Sequence, residues 1–167
     1  MNFDFNELIN NLKKNNYKLI GSGSCRIVYD LGNGYVVKVA KDVRGILQNE
    51  TEHSTYQSCK SDFFAEILAA SENHRYLIMV KAKRITDIRT VLRYYKVQKM
   101  NDLIKRPLFA EDIESKKIGS GDLKRASSWG IVKDVPVLID YGLSQSTYIK
   151  YYRNKLFGRF RRLNYSS

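Results

Sequence analysis

Apolar positions in the first third of the chain change their period twice. Phe5, Leu8, Ile9 and Leu12 recur at helical spacing, which predicts an amphipathic helix over residues 3–15. Tyr17 to Ile20 and Arg26 to Leu31 read as strands flanking a Gly/Ser stretch, as in a hairpin. Gly32-Asn33-Gly34 signals a tight turn, and Tyr35 to Ala40 is the next strand. Alternation in that strand places Lys38 on the face of Val36 and Ala40. A lysine on an apolar face needs a partner charge. A helix over 45–59 supplies a candidate, because Asn49, Glu52 and Tyr56 share one of its faces.

The pattern is less regular further on. Ala65-Glu66-Ile67-Leu68-Ala69-Ala70 has helical propensity, whereas Tyr76 to Val80 reads as a strand. Ile88, Val91, Leu92 and Tyr95 form a core-facing helical stripe, and a polar helix runs from Phe109 to Lys117. Two short strands, Trp129 to Val132 and Val135 to Ile139, form a hairpin through the turn Lys133-Asp134. Trp129 is expected in the core. Thr147 to Leu163 reads as an amphipathic basic helix.

A length of 167 residues suits one domain, or two small lobes sharing a cleft. No apolar run approaches the roughly 20 residues that span a bilayer. The start, Met1-Asn2-Phe3-Asp4-Phe5, lacks the basic and apolar regions of a secretory signal. Cys25 and Cys59 are too few for a disulfide framework, so a reduced, cytoplasmic setting is expected. Cys25 reads as a small packed side chain. His53 and His74 are isolated in the sequence, and no Cys/His cluster points to zinc.

The net charge of +12 favours acidic partners. After Asp140 no acidic residue occurs, while Lys150, Arg153, Lys155, Arg159, Arg161 and Arg162 accumulate among Tyr148, Tyr151, Tyr152, Phe157 and Phe160. Three readings of this segment stay open: a helix packed by its aromatic face, a nucleic-acid contact, and a membrane-surface helix.

The candidate chemistry lies in five short segments. Gly21-Ser22-Gly23-Ser24-Cys25-Arg26-Ile27-Val28 resembles the Gly-rich loop of protein kinases, with Arg26 at the third glycine. By itself the Gly21/Gly23 pair reads first as a plain hairpin turn, and Lys38 at the right spacing turns the reading to nucleotide binding. Tyr35-Val36-Val37-Lys38 resembles the strand carrying the phosphate-binding lysine, and Gln48 to Glu52 stands where the helix bearing its partner belongs. Gly121-Asp122-Leu123-Lys124 resembles the catalytic loop, and Asp140-Tyr141-Gly142 the metal-binding Asp-Phe-Gly. Together they resemble a minimal protein kinase over roughly residues 17–144. Ser128-Trp129-Gly130 and Ile139 to Leu143 are similar to segments of small kinase-like proteins of bacteriophages and their bacterial hosts.

The resemblance implies an α+β, protein-kinase-like fold. Residues 1–83 would form an N-lobe of antiparallel sheet with one main helix and a nucleotide-binding Gly-rich loop. Residues 84–167 would form a truncated, mostly helical C-lobe with the catalytic-type loops and the basic C-terminal helix. It turns the 65–70 segment into a strand paired with Tyr76 to Val80. It implies ATP and Mg2+ as cofactors. Gly21, Ser22, Gly23, Ser24, Val28 and Lys38 would hold the nucleotide, with Val80, Lys81 and Ala82 as the hinge that reads adenine. Glu52, or second Glu50, would orient Lys38. Asp140 would bind the metal and Gly142 would let its loop turn tightly. Asp122 would act on the acceptor and Lys124 would steady the transferred group.

Three positions depart from the kinase pattern. Ser127 stands at the metal-binding asparagine, so a second metal would be weak. Ser120-Gly121 replaces the usual His-Arg. Only 25 residues, 143–167, follow Gly142, where kinases carry a substrate platform. Three functions follow as expectations: an ATP-dependent phosphotransferase acting on a protein such as a host protein; a pseudokinase acting by contact; and a nucleic-acid-binding component.

Overall fold

A computed structural model describes residues 3–142, apart from the side chain of Ser120. The basic segment 147–163 lies outside the described residues. The chain begins with α1 (Phe5–Lys13), capped by Asp4, whose carboxylate accepts from the Asn6 and Glu7 amides. Strands β1 (Lys18–Ser22), β2 (Arg26–Asp30) and β3 (Tyr35–Ala40) then pair antiparallel in sequence. The β2–β3 turn uses Gly32 and Gly34 at φ +79° and +89°, a region costly for residues with a Cβ. Helix α2 (Val43–Ser58) starts two residues earlier than the pattern predicts, because Asp42 caps it through the Arg44 and Gly45 amides.

Strands β4 (Ile67–Ala70) and β5 (Tyr76–Val80) complete a five-stranded antiparallel sheet of order β1-β2-β3-β5-β4. Cross-strand pairing with β5 overrides the helical propensity of the 65–70 segment. Alternation in β3 divides the sheet's two faces. Val37, with Ile78 of β5, packs on Leu8 of α1, whereas Val36 faces the main core.

The second half is mostly helical. It holds α3 (Arg89–Tyr94), α4 (Met100–Ile104), α5 (Pro107–Lys116), α6 (Ser120–Leu123) and a 3-10 turn at Ala126–Ser128. A three-stranded sheet of β6 (Lys83–Arg84), β7 (Trp129–Val132) and β8 (Val135–Leu138) lies beside them. The architecture is therefore α+β, with an antiparallel N-terminal sheet and one main helix ahead of a largely helical part. Helix α4 is not visible in the hydrophobic pattern, and β6 comprises the residues either side of the boundary drawn at 83/84. The Lys133-Asp134 turn closes the β7–β8 hairpin with both residues at positive φ, +48° and +65°.

One core runs through both halves. Phe63 stacks on Phe109 with centroids 4.1 Å apart, and Trp129 meets Phe109 edge-on. The buried Asp112 carboxylate on α5 accepts from the Lys60 and Ser61 amides and the Ser61 hydroxyl, at 2.9, 2.9 and 2.6 Å. These bonds anchor the chain leaving α2 to the helical half.

Gly45 sets how closely α2 approaches the sheet. A Cβ there would stand 2.3 Å from the Cys25 carbonyl oxygen and 2.9 Å from Ala40. Gly45→Ala is therefore expected to destabilise by about 1–3 kcal/mol, although alanine in a free helix gains close to 1 kcal/mol. Urea unfolding checks the sign. A stabilised variant would contradict this packing.

Candidate functional site

The β1–β2 hairpin, β3, β5 and the chain after β8 enclose a cleft of about 470 Å³. Its apolar walls are Ile20, Val28, Val36, Met79, Ala82 and Ile139, a setting suited to a flat aromatic ring. Gly23, Ser24 and Cys25 form its roof, and Arg125, Ser127 and Asp140 its far rim. The roof hairpin is tight, because the Gly23 amide donates to the Arg26 carbonyl at 2.9 Å. Lys41 braces it from outside, its Nζ donating to the Gly23 carbonyl and the Ser22 hydroxyl.

Four charged side chains meet at the back. Lys38 Nζ lies 2.6 Å from Glu52 Oε2 and 2.5 Å from the Ile139 carbonyl oxygen. Arg26 Nη1 lies 2.9 Å from Glu52 Oε1, and Arg26 Nη2 lies 2.7 Å from Asp140 Oδ1. The Tyr141 amide also donates to Glu52 Oε1, at 3.3 Å. Glu52 is fully buried, and it stands between two cations that are themselves buried. Asn49, one turn before it, accepts from Arg26 and donates to the His74 carbonyl, which fixes α2 against β3 and β5.

The environment shifts several of these groups. Desolvation pulls Lys38 below the ordinary lysine value; the Glu52 and Asp140 carboxylates oppose this and Arg26 adds to it. Desolvation acts the same way on Arg26, but Glu52 and Asp140 outweigh it and hold the guanidinium above its usual value. Desolvation pushes Asp140 up, and Arg26 with Lys38 brings it below the carboxylate range. Asp122 moves the other way: partial burial and the Asp140 charge raise it, against Arg125.

The sequence-predicted residues do not all converge. Lys38, Asp140, Ser127, Gly23, Ser24, Val28, Val80 and Ala82 line the cleft, and Glu52 reaches it through Lys38. Gly21 and Ser22 lie beyond the lining. Lys81 turns away, its Nζ on Asp30 at 2.6 Å and its amide on the Gly34 carbonyl. Lys124 is exposed and outside the cleft lining, and Glu50 is exposed. Asp122 is likewise not among the lining residues and sits in the short helix α6 rather than in a loop. That helix is pinned by Trp129, whose Nε1 donates to the Leu123 carbonyl at 2.9 Å.

One expectation is corrected. His53 and His74 are not isolated: their rings approach to 3.3 Å between Nδ1 and Nε2, because α2 packs over the β4–β5 turn. Gly142 allows close approach, since a Cβ there would meet the Gln48 carbonyl oxygen at 2.8 Å. The functional residue that sequence reasoning missed is Arg26. Its position in the Gly-rich segment marked a departure, but its partners lie 26 and 114 positions away.

Magnesium requires several oxygen ligands in near-octahedral array. Of the expected donors, Asp140 already receives the Arg26 guanidinium, and Ser127 offers a neutral hydroxyl. Among the described residues no three His, Cys, Asp or Glu side chains converge on a metal-sized site. Magnesium in phosphate sites needs only one or two carboxylates beside phosphates and waters, and the one carboxylate among the expected donors is here already paired with a cation.

No protein-family model and no curated protein matches the sequence. Among solved structures, the chain is similar to the ternary complex of streptomycin, ATP and APH(2")-IIa, at 24% identity and TM-score 0.40, over 69% of this chain and 41% of that one. It is also similar to ADP-bound aminoglycoside phosphotransferase APH(2'')-Ib, at 24% identity and TM-score 0.40, over 72% and 42%. The chain spans about two fifths of the length of these structures. Among the described residues no helix is long and apolar enough to cross a membrane.

Proposed function

We propose that the cleft binds ATP and that the chain is a phosphotransferase of the kinase type. The observation that carries this reading is the buried Lys38–Glu52 pair at the back of an apolar cleft roofed by a Gly/Ser hairpin. A purine fits between Val28, Val36, Met79 and Ala82, which leaves the phosphates toward Lys38. Phosphoryl transfer asks of protein mainly position and charge neutralisation. The acceptor hydroxyl oxygen bonds to the γ-phosphorus as the bond to the β–γ bridging oxygen breaks, ADP leaves, and the hydroxyl proton passes to Asp122. A raised Asp122 pKa suits that last step, because it makes the carboxylate a better base. The acceptor we infer is a protein hydroxyl, and the resemblance to small bacteriophage proteins points to a host protein.

A second reading is favoured by the placement of Lys124 outside the cleft and by the Arg26–Asp140 ion pair. In it the chain keeps the nucleotide cleft and acts by contact, without transfer. Both readings predict that ATP raises the melting temperature, since a ligand of the native state stabilises by mass action. At a ligand concentration 100 times Kd the gain is about 2.7 kcal/mol. Lys38→Met should remove most of that shift. No shift in the wild type at millimolar ATP would end both.

A further inference from the structure

The group of four charges has a composition that a nucleotide site relying on a metal would not have. Lys38 and Arg26 contribute two positive charges, Glu52 and Asp140 two negative ones, so the cluster is neutral before any ion arrives. Arg26 is buried, and both terminal nitrogens are engaged: Nη1 with Glu52 and Asn49, Nη2 with Asp140. A planar guanidinium held by two carboxylates is a fixed cation whose charge cannot be titrated away. It also lines the cleft beside Gly23 and Lys38, so its charge faces the space assigned above to the phosphates.

We propose that Arg26 is the resident cation of this cleft, taking the position on Asp140 that a divalent metal would otherwise hold, so that a nucleoside polyphosphate binds without one. The inference rests on the nucleotide reading of the cleft for its ligand, though not for its cation. A divalent ion approaching Asp140 meets a guanidinium already bound there, and displacing it leaves a buried positive charge without its partner. A polyphosphate meets no such barrier. It adds negative charge next to the two cations that line the cleft, Lys38 and Arg26. The arginine at the third-glycine position then supplies the positive charge that balances Asp140.

Two titrations test this. In the first, ATP binding to the wild type is measured by calorimetry in EDTA and again in excess magnesium. The expected dissociation constants agree within about threefold. A loss of tenfold or more in EDTA overturns the proposal. In the second, Mn2+ is titrated without nucleotide into the wild type and into Arg26→Gln, with bound manganese read from its paramagnetic resonance signal. The variant is expected to bind Mn2+ at least tenfold more tightly, because Asp140 is released and the cluster gains one net negative charge. Equal affinity in the two proteins, or tight manganese binding to the wild type, overturns the proposal. If Arg26→Gln does not fold, the wild-type manganese titration and the EDTA comparison still decide. If ATP binds in neither condition, the nucleotide reading fails, and the manganese comparison judges the cation role alone.

Discussion

Glu52→Ala is expected to destabilise the protein by about 3–5 kcal/mol, the range for removing one partner of a buried ion pair. The effect comes less from the lost attraction than from what remains. Lys38 and Arg26 are both buried, and Glu52 is the acceptor they share. Without it, the two cations keep only Asp140, the Asn49 amide oxygen and the Ile139 carbonyl among the acceptors described for them. The Tyr141 amide loses its acceptor as well, so the chain after β8 loses a tie to α2. An exposed pair provides the contrast: Lys60 and Glu111 also form a salt bridge, but Glu111→Ala should cost under about 1 kcal/mol. Urea unfolding followed by the single tryptophan, Trp129, measures both. A Glu52→Ala loss no larger than that of Glu111→Ala would show that the cluster does not hold the two halves together.

Asp122→Asn is expected to reduce phosphoryl transfer by about 10²–10⁴-fold, the usual contribution of a positioned general base, while ATP affinity stays nearly constant. Asparagine keeps the shape and α6 stays pinned through the Trp129 bond to Leu123, so the change removes basicity without moving the backbone. The pH dependence adds an independent check. Burial and Asp140 raise the pKa of Asp122, and transfer needs its deprotonated form. The rate should therefore rise with pH along an acid limb displaced above the ordinary carboxylate range, and Asn should abolish that limb. Equal rates in wild type and variant would remove Asp122 from the chemistry and favour the contact-only reading.

The parts of the fold that were legible in the sequence are those with a local cause. Alternation in 35–40 placed Lys38 beside Val36 and Ala40, and helical spacing placed Asn49 and Glu52 on one face; the structure has them buried together. The Lys133-Asp134 turn was readable because two strand-like runs flank it at hairpin distance. What was not legible depends on distant partners. Helix α4 is five residues long, too short to display a period. The 65–70 segment carries helix-forming residues and becomes a strand only because β5 lies beside it. His53 and His74 meet through the packing of α2. Arg26 looked like a lost glycine, since nothing near it in the chain shows that Glu52 and Asp140 will close around its guanidinium. Asp112 resembled any helix carboxylate until the chain from Lys60 and Ser61 crossed its path.

In the proposed reading this cleft holds a nucleotide with its base between Val36, Met79 and Ala82. Photolabelling with 8-azido-ATP, followed by peptide mapping, tests it most directly. Label is expected in the peptides spanning residues 36–38 and 76–83, displaced by excess unlabelled ATP. Label confined to peptides outside the cleft, or label that excess ATP does not displace, would contradict it.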